Sequence, residues 1–573
     1  MHVPLHRRLR RSLLTLGLGA ALTAGALAAA GPAGAAPGHA DGDGYGSGRS
    51  APRVVETTEG RLRGSVVDGA YRTFEGVPYA APPVGDLRFR PPAPVEPWRG
   101  VRDATAPGPQ CAQLTRQANP ETYGEDCLSL NVTTPAGLDA AGTDLPVMVW
   151  IHGGSWVYGA GANYDASTLA LEGDVVVVTI NYRLGPLGFL AQEDLSRDNG
   201  AVASGSAGLL DQQAALRWVE RNAAAFGGDP GRVTVFGESA GGSSVCAQLA
   251  APDAADLFDR AIPQSYSCAA RYEDLPTAET KGARVADLVG CTDPATRSAC
   301  LRTPGEDFTR RLLTAWRDVG GGAFVVGGSA LPVQPADAIA SGAWNEVPVL
   351  HGNLSDENTL FTPLTPLRST GAPPPPTLTV EQYEAEIRAR YGARADEVLA
   401  RYPAAAYPSP LRALAEVASD ATGALSTCEH VEAYELLADR TPTFAYQFRD
   451  ETASPLIDFP YPAYPEDASH AGELPFLFPG LFGEPLTAEQ QDLASTMVGY
   501  WTGFAATGDP DGRDSHGRHA DGGGHHGDRH GDLPAWPRYA DPGDVQGLDI
   551  AADGGVGPVD VAADAQCAFW ATV

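Results

Sequence analysis

A serine at the apex of a predicted strand-to-helix turn constrains the fold of this chain more than any other feature. The segment from Phe226 to Gly241 reads as a loop, a short β-branched strand at Arg232–Phe236, the sequence Gly-Glu-Ser-Ala-Gly and an Ala/Ser-rich helical stretch. So tight a turn needs glycine two residues before and after the serine, and Gly237 and Gly241 fill these places. Ser239 would then project at the carboxyl end of a sheet, beside a helix N-terminus that favours developing negative charge.

The segments around this turn predict one large α/β domain. Pro146–Ile151 and Asp174–Asn181 are continuous apolar, β-branched runs, which are typical of strands buried on both faces. Further elements are predicted as strands at Ala261–Gln264, Val347–His351 and Thr443–Phe448, and as helices at Leu209–Ala225 and Val380–Arg401. Such alternation predicts a central, mostly parallel β-sheet flanked by helices. Short Gly-separated segments from Arg53 to Tyr79 predict a small N-terminal antiparallel sheet.

The N-terminal residues predict an export signal followed by a linker. Residues 1–36 contain four Arg, an apolar stretch at Leu13–Ala30 and a small-residue site at Ala33–Ala35, as a signal peptide does. Arg10–Leu14 also resembles a twin-arginine signal. A membrane anchor is the alternative, but the stretch is diluted by Gly and Ala, and a polar leader at residues 37–52 follows at once. We therefore expect a secreted protein whose single folded domain occupies residues 53–573.

The net charge limits the partners that the chain can bind. The formal charge is −31, and removal of residues 1–36, with four Arg and no acid, gives −31 − 4 = −35. A surface this acidic repels nucleic acid and anionic membranes. We therefore expect no nucleic-acid partner and no stable membrane insertion, and we favour a monomer.

A His/Gly/Asp-rich segment at residues 511–532 holds five of the twelve histidines. Such a segment could bind Zn²⁺ or Ni²⁺ adventitiously. The ligands lack a framework that would fix their geometry, so we predict a disordered insertion in a surface loop and no metal site.

A chance small-residue turn is the alternative to a catalytic one, because G-x-S-x-G arises at random in long Gly- and Ser-rich chains. A serine hydroxyl is also a weak nucleophile that needs a neutral imidazole within about 3 Å. Outside the N-terminal 52 residues and the insertion, four candidates remain: His152 in a glycine turn, His351 in a strand, His430 on a predicted helix, and His470. In an α/β-hydrolase the base comes last, from a loop above the sheet, which favours His470.

The acid that orients the base should lie between Ser239 and His470, just past a strand end. The strand predicted to reach His351 is followed by a polar turn that contains Asp356 and Glu357. One carboxylate could cap the next helix while the other reaches inward, and both remain candidates.

An oxyanion hole is predicted from the glycine turn after the first central strand. The sequence Trp-Ile-His-Gly-Gly-Ser-Trp begins at Trp150, and glycine lets the backbone approach a substrate closely. The N–H groups of Gly154 and Ser155 could stabilise a tetrahedral anion together with that of Ala240, directly after the nucleophile.

The eight cysteines are consistent with an exported protein, although counting does not fix their pairing. Three pairs are plausible from their local or terminal positions: Cys111 with Cys127, Cys291 with Cys300, and Cys428 with Cys567. The remaining Cys246 and Cys268 are predicted to be buried thiols, because neither has a helix N-terminus or a nearby histidine in sequence to lower its pKa.

Seven ordered motifs make the chain resemble the type B carboxylesterase/lipase family, which includes the cholinesterases and bacterial para-nitrobenzyl esterases. The motifs are FEGVPYA from Phe74, EDCLSLN from Glu125, WIHGG from Trp150, NYRLGPLGF from Asn181, GLLDQ from Gly208, FGGDP from Phe226 and GESAG from Gly237. The similarity extends from about Val54 to the C-terminus. The loop between Cys111 and Cys127 lacks the Trp that binds choline in cholinesterases, so a quaternary ammonium site is not supported.

The resemblance implies an α/β-hydrolase fold and a complete catalytic site. It selects Glu357 over Asp356 as the acid, and it supports the three cysteine pairs. The implied roles are a triad of Ser239, Glu357 and His470, oxyanion donors at Gly154, Ser155 and Ala240, and Glu238 as a residue that helps to hold the site.

Together these features predict a secreted serine carboxylesterase that acts on small-molecule esters and needs no metal or organic cofactor. A non-catalytic binding protein on the same fold and a lipase that acts at a lipid interface are the alternatives. We expect activity to fall as His470 becomes protonated, below roughly neutral pH if its pKa is near the usual value of about 6.5.

Overall fold

The computed structural model describes residues 53–114, 123–137, 144–322, 324–421, 423–483, 485–512 and 533–573. The predicted signal peptide (residues 1–36) and leader (residues 37–52) lie outside these residues. The His-rich segment also lies outside them, apart from Asp511 and Gly512.

The strands within the described residues are short at the N-terminus and longer in the centre. In chain order they are β1 (Val54–Thr57), β2 (Gly60–Arg63), β3 (Ser65–Val67), β4 (Tyr71–Pro78), β5 (Val101–Asp103), β6 (Gln110–Cys111), β7 (Tyr123–Gly124), β8 (Ser129–Pro135), β9 (Leu145–Ile151), β10 (Val176–Ile180), β11 (Gly228–Glu238), β12 (Arg260–Gln264), β13 (Glu273–Asp274), β14 (Val325–Val326), β15 (Val349–Leu354), β16 (Thr443–Phe448), β17 (Val545–Leu548) and β18 (Gly557–Val559).

The α-helices mostly lie between the later strands. They are α1 (Ser167–Gly173), α2 (Gly185–Phe189), α3 (Glu193–Asn199), α4 (Ala207–Asn222), α5 (Ala240–Ala250), α6 (Leu275–Leu288), α7 (Arg297–Leu301), α8 (Glu306–Asp318), α9 (Pro335–Ser341), α10 (Asn358–Phe361), α11 (Val380–Tyr391), α12 (Ala395–Arg401), α13 (Pro410–Asp420), α14 (Thr427–Ala438), α15 (Leu474–Leu477), α16 (Ala488–Thr507), α17 (Val561–Asp564) and α18 (Cys567–Trp570). In the described part of the chain, none of them is both long enough and apolar enough to cross a membrane.

The centre of the molecule is an 11-stranded sheet with the order β18-β17-β16-β15-β12-β11-β9-β10-β8-β4-β3. The pairings from β10 to β17 across its middle are parallel, and the outer pairings are antiparallel. The predicted mostly parallel α/β-hydrolase sheet is therefore confirmed. The predicted small N-terminal sheet is present and contains β1, β2 and β5. It is not antiparallel throughout, because β1 pairs antiparallel with β2 but β5 pairs in parallel with it, and β3 and β4 join the central sheet instead.

Both faces of this sheet are buried. In β9, Val147, Val149 and Ile151 pack into one core cluster, whereas Met148 and Trp150 pack into another. Successive side chains of a strand point to opposite faces, so a layer on each side requires an unbroken apolar run. The sheet therefore forms the middle layer, and its carboxyl-end turns carry the side chains described below.

Two helix predictions differ from the structure at their ends. The predicted helix over Val380–Arg401 is two helices, α11 and α12, because Gly392 has a φ of +53° that ends the first one. The predicted helix over Leu209–Ala225 is α4, which ends at Asn222 and continues as a 3₁₀ turn over Ala223–Phe226.

The cysteines form four disulfides. Three are the predicted pairs, Cys111–Cys127, Cys291–Cys300 and Cys428–Cys567. The prediction that Cys246 and Cys268 are free thiols is wrong, because they form the fourth. Cys246 lies on α5, after β11, and Cys268 follows β12; since β11 and β12 are neighbours, the fold brings the two Cα atoms within 5.2 Å.

Candidate active site

Ser239 lies at the junction of β11 and α5. Its backbone has φ 58° and ψ −120°, a strained conformation for a residue other than glycine. Its N–H donates to the carbonyl of Gln264 (3.0 Å), and its carbonyl accepts from the N–H of Ser243 (2.9 Å). The side chain is partly exposed, whereas both neighbours, Glu238 and Ala240, are buried. The turn thus presents one hydroxyl at the carboxyl end of the sheet.

The two glycines that flank the serine lie against strand β9. A Cβ on Gly237 would come within 2.5 Å of the carbonyl oxygen of Ile151, and one on Gly241 within 2.0 Å of the same atom. Any side chain at either position would overlap with backbone. The spacing of the motif is therefore explained by the close approach of α5 to β9.

The glycine turn after β9 lies beside Ser239. A Cβ built on Gly153 would lie 3.2 Å from the Cβ of Ser239, and Gly154 has a φ of +98°. The carbonyl of Gly154 accepts hydrogen bonds within its own turn. Among the described residues, neither the N–H of Gly154 nor that of Ser155 makes a backbone–backbone hydrogen bond. The first N–H groups of a helix likewise lack an intrahelical partner, which includes that of Ala240. The three predicted oxyanion donors thus belong to two turns that meet at Ser239.

His470 lies between two glutamates. Its Nδ1 makes a short hydrogen bond with Glu357 Oε2, and its Nε2 lies 3.0 Å from Glu238 Oε1. Glu238 Oε1 accepts no hydrogen bond from the described residues, so its contact with Nε2 is close without being a hydrogen bond. Because Glu238 directly precedes Ser239, the imidazole reaches the serine turn with its Nδ1 side held by Glu357.

The backbone fixes which acid of the Asp356–Glu357 pair contacts the histidine. Glu357 is fully buried, and its Oε1 accepts from the N–H of Leu354 (3.0 Å). Asp356 turns away and pairs with Arg412. Glu357 therefore occupies the position that the resemblance implied.

The charges around His470 change its protonation. Burial lowers the pKa of His470, but the carboxylates of Glu238 and Glu357 outweigh it and raise the pKa to about 9. Burial raises the pKa of Glu238 to about 7, against the opposing effect of His470. The pKa of His470 therefore lies above the usual histidine value, on which we based the expectation that activity falls below roughly neutral pH.

Among the described residues, none of the other three candidate histidines is hydrogen-bonded or ion-paired to a carboxylate, and their partners are backbone groups. Burial lowers the pKa of His152 and of His430 to about 4, and that of His351 well below its usual value. His152 Nδ1 lies 2.8 Å from the carbonyl of Gly153, and its ring stacks on Tyr182. These rings are neutral parts of the interior.

Two residues near His470 were missed by the sequence interpretation. Glu473 lies three residues after His470, is fully buried, and accepts from Gln264 Nε2 (3.2 Å). Burial raises its pKa well above the usual value. The ring of Phe361 packs edge-on against His470, with 4.9 Å between centroids. The i, i+3 spacing from His470 could have indicated Glu473, but nothing in the sequence indicates Phe361.

One group of three side chains in the described ranges has the types and spacing of metal ligands. The ligand atoms of Cys246, Cys268 and His351 lie within 4.8 Å of one another. The two sulfurs are joined in a disulfide, so no thiolate is present to bind a metal.

Comparisons with known proteins place the chain among esterases. The family model described as "Carboxylesterase family" matches residues 51–570. The chain is 35% identical to the fumonisin B1 esterase of Sphingopyxis macrogoltabida over 540 residues, and this match covers 88% of each protein. It is 37% identical over 484 residues to the para-nitrobenzyl esterase of Bacillus subtilis (strain 168), covering 80% of this chain and 90% of that one. The crystal structure of a Geobacillus stearothermophilus carboxylesterase superposes with a TM-score of 0.73 at 33% identity, covering 90% of this chain and all of that one.

Proposed function

The chain belongs to the carboxylesterase family and is a carboxylic-ester hydrolase, and from this premise we propose that it acts through an acyl-enzyme on Ser239. The observation that carries the proposal is the position of His470, held by Glu357 at Nδ1 and next to the serine turn at Nε2. This is the order of nucleophile, base and orienting acid in a serine hydrolase.

The reaction has two halves that use the same groups. Ser239 Oγ attacks the ester carbonyl carbon while His470 Nε2 takes the hydroxyl proton. The tetrahedral intermediate then collapses, and the alcohol leaves with that proton. In the second half a water molecule attacks the acyl carbon, His470 accepts its proton, and the carboxylic acid is released as the proton returns to Ser239. Glu357 keeps the imidazole oriented and stabilises its charged form.

The negative charge on the carbonyl oxygen is assigned to the backbone N–H groups of Gly154, Ser155 and Ala240. Their two turns meet at Ser239, and the Ala240 N–H begins a helix whose dipole favours negative charge. Removing one donor of this kind typically costs about 10²- to 10³-fold in rate.

Ser239→Ala tests the nucleophile directly. We expect it to abolish turnover of a short-chain nitrophenyl ester and covalent labelling by a fluorophosphonate, because no other hydroxyl is proposed to attack. The free energy of unfolding, measured by denaturant titration, should be nearly the same in this variant as in wild type. Labelling of the variant at another serine, located by peptide mass spectrometry, would refute the assignment.

Wild-type protein that folds but turns over no aryl ester would point to a binding function on this fold. A sharp increase in rate above the concentration at which a substrate forms micelles would point to a lipase. The name of the Bacillus subtilis relative supports para-nitrobenzyl esters as a first set of substrates.

Export is also part of the proposal. The four Arg, apolar stretch and Ala33–Ala35 site at the N-terminus support it, as do the four disulfides. N-terminal sequencing of protein from the medium of an expressing bacterium should begin near residue 37. A retained Met1 would contradict cleavage.

A further inference from the structure

The proposed acid and base of the site lie on two separate segments that pair through their backbones. Glu357 follows β15, and His470 lies in the long connection after β16. The N–H of Asp356 donates to the carbonyl of Ala468 (3.2 Å), and Asp356 forms an isolated parallel bridge with Ser469. The geometry of the Glu357–His470 pair therefore depends on what holds these two segments together.

One buried guanidinium joins the two segments. Arg412, 7% exposed, pairs through Nη2 with Asp356 Oδ1 and also donates to Asp467 Oδ2 (3.1 Å). Its Nη1 donates to Glu416 (2.6 Å). Asp356 directly precedes Glu357, and Asp467 lies three residues before His470. In the described residues, Arg412 is the only basic side chain that forms an ion pair with either aspartate.

The helix that carries Arg412 is a rigid support. Leu411, Leu414 and Val417 of α13 are fully buried in their own apolar cluster. At the other end of α13, Ser419 Oγ accepts from the N–H of Asn358 (3.0 Å), the residue directly after Glu357. α13 therefore holds the segment of the acid on both sides of Glu357.

Two features of this contact favour arginine: one side chain binds two aspartates at once, and the carboxylates around it need a positive charge. A guanidinium presents several N–H groups in a fixed plane and can bind two carboxylates at once, whereas an ammonium acts as a point charge. Without Arg412, the carboxylates of Asp356, Asp467 and Glu416 would face one another. Burial already raises the pKa of Asp356 to about 6, and Arg412 opposes that rise.

We propose that Arg412 is a positioning residue for catalysis, which clamps the segment of the acid to the segment of the base and so sets the Glu357–His470 contact. The proposal rests on the proposed function of those two residues. Arg412 contacts neither Ser239 nor the imidazole among the described residues, so its effect on the reaction is exerted through Asp356 and Asp467.

Arg412→Met and Arg412→Lys test the clamp, with Arg390→Met and Arg390→Lys as matched controls. Arg390 pairs with the buried Glu386 on α11 (2.6 Å) and makes no recorded contact with either catalytic segment. We expect kcat to fall about 100-fold in Arg412→Met, the size of loss that a misplacement of about 1 Å produces, with KM within threefold. Arg412→Lys should lose about tenfold, because it keeps one of the two contacts. Both Arg390 variants should keep kcat within twofold.

Rates are expressed per active site, titrated with a fluorophosphonate, so that partial unfolding does not count as lost catalysis. A kcat for Arg412→Met within twofold of Arg390→Met would overturn the proposal. A rise in KM alone would also overturn it, because that places Arg412 in binding. If Arg412→Met does not fold, Arg412→Lys is compared with Arg390→Lys instead. A kcat within twofold of that control, or a rise in KM alone, would then overturn the proposal.

A second readout does not depend on turnover. The proton between His470 Nδ1 and Glu357 should give a low-field ¹H resonance in wild-type protein that Glu357→Gln removes. We expect this resonance to shift or broaden in Arg412→Met and to stay unchanged in Arg390→Met; an identical resonance in both would count against the clamp. If wild-type protein is inert towards esters, the proposed function fails, and this resonance still reports on the clamp.

Discussion

The two ring nitrogens of His470 contact different carboxylates, so we expect the two nitrogens to have different roles. Glu357 is hydrogen-bonded to Nδ1 and fixes the ring, whereas Glu238 Oε1 lies 3.0 Å from Nε2 and accepts no hydrogen bond from the described residues. In the proposed mechanism Nε2 is left to take the proton of Ser239, while the charge of Glu238 raises the pKa of the ring.

Glu238→Gln is expected to move the acid limb of the pH–rate profile to lower pH. A base must be neutral, so kcat/KM falls as pH drops through the pKa of His470, which Glu238 and Glu357 raise to about 9. Removing the charge of Glu238 lowers that pKa, so the variant should keep its plateau rate to more acidic pH than wild type does. The measurement is kcat/KM for a nitrophenyl ester between pH 5 and pH 10.

Glu466→Gln is the control for this shift. Burial raises the pKa of Glu466 to about 7, and it accepts from the N–H of Phe459, whereas the carboxylates that raise the His470 pKa most are those of Glu238 and Glu357. Its acid limb should coincide with that of wild type. Coincident limbs for Glu238→Gln and wild type would show that Glu238 does not act on the imidazole.

At the scale of elements, the site depends on how closely α5 approaches β9. The helix begins directly after Ser239, and Gly241 in its first turn touches the carbonyl of Ile151 at the end of the strand. The disulfide between Cys246 and Cys268 then ties the middle of α5 to the segment after β12. Ser239 is thus fixed by contacts on both neighbouring strands.

Gly241→Ala should damage both folding and catalysis. The added Cβ would lie 2.0 Å from the carbonyl oxygen of Ile151, and backbone on both sides leaves no flexible side chain to yield. We expect a loss of about 3 kcal/mol in the free energy of unfolding, as for a severe overpacking change, and a large loss of turnover. Denaturant titration and ester assays measure the two effects.

Gly557→Ala provides the comparison on an edge strand. A Cβ at Gly557 meets nothing within 4 Å, so this variant should match wild type in stability and rate. Equal stability of the two glycine variants would contradict the packing argument.

At the scale of the whole molecule, the two described flanks of the His-rich segment, Gly512 and Leu533, lie against one side of α16. A Cβ on Gly499 would lie 3.1 Å from Leu533, and one on Gly503 would lie 3.3 Å from the nitrogen of Gly512. Residues four apart on a helix are neighbours on one face, so the two flanks of residues 513–532 come close together.

Replacement of residues 513–532 by a short Gly/Ser linker is therefore expected to leave the protein intact. The flank is held by the N–H of Trp536, which donates to Asp511 Oδ1 (3.0 Å). We expect kcat/KM within twofold of wild type and an unchanged melting temperature, measured with and without Zn²⁺. A tenfold loss of activity would assign the segment a role that its composition does not predict.

Local motifs determined much of this fold in advance. The apolar run of β9 predicted a strand buried on both faces, and cores lie on both faces of the sheet. The glycine spacing around Ser239 predicted a tight turn, because only a residue without a Cβ fits there. Such signals are readable since they depend on neighbours in the chain.

The sequence by itself determined the family, the sheet architecture and the serine turn, and together with the family resemblance it predicted three of the four disulfides. Only the tertiary structure paired Cys246 with Cys268, brought Phe361 to His470, and placed Arg412 between Asp356 and Asp467. Each of these contacts joins residues from different elements or depends on burial. Packing decides such contacts and the pKa values they shift, whereas periodicity and motif spacing describe only what neighbours along the chain can do.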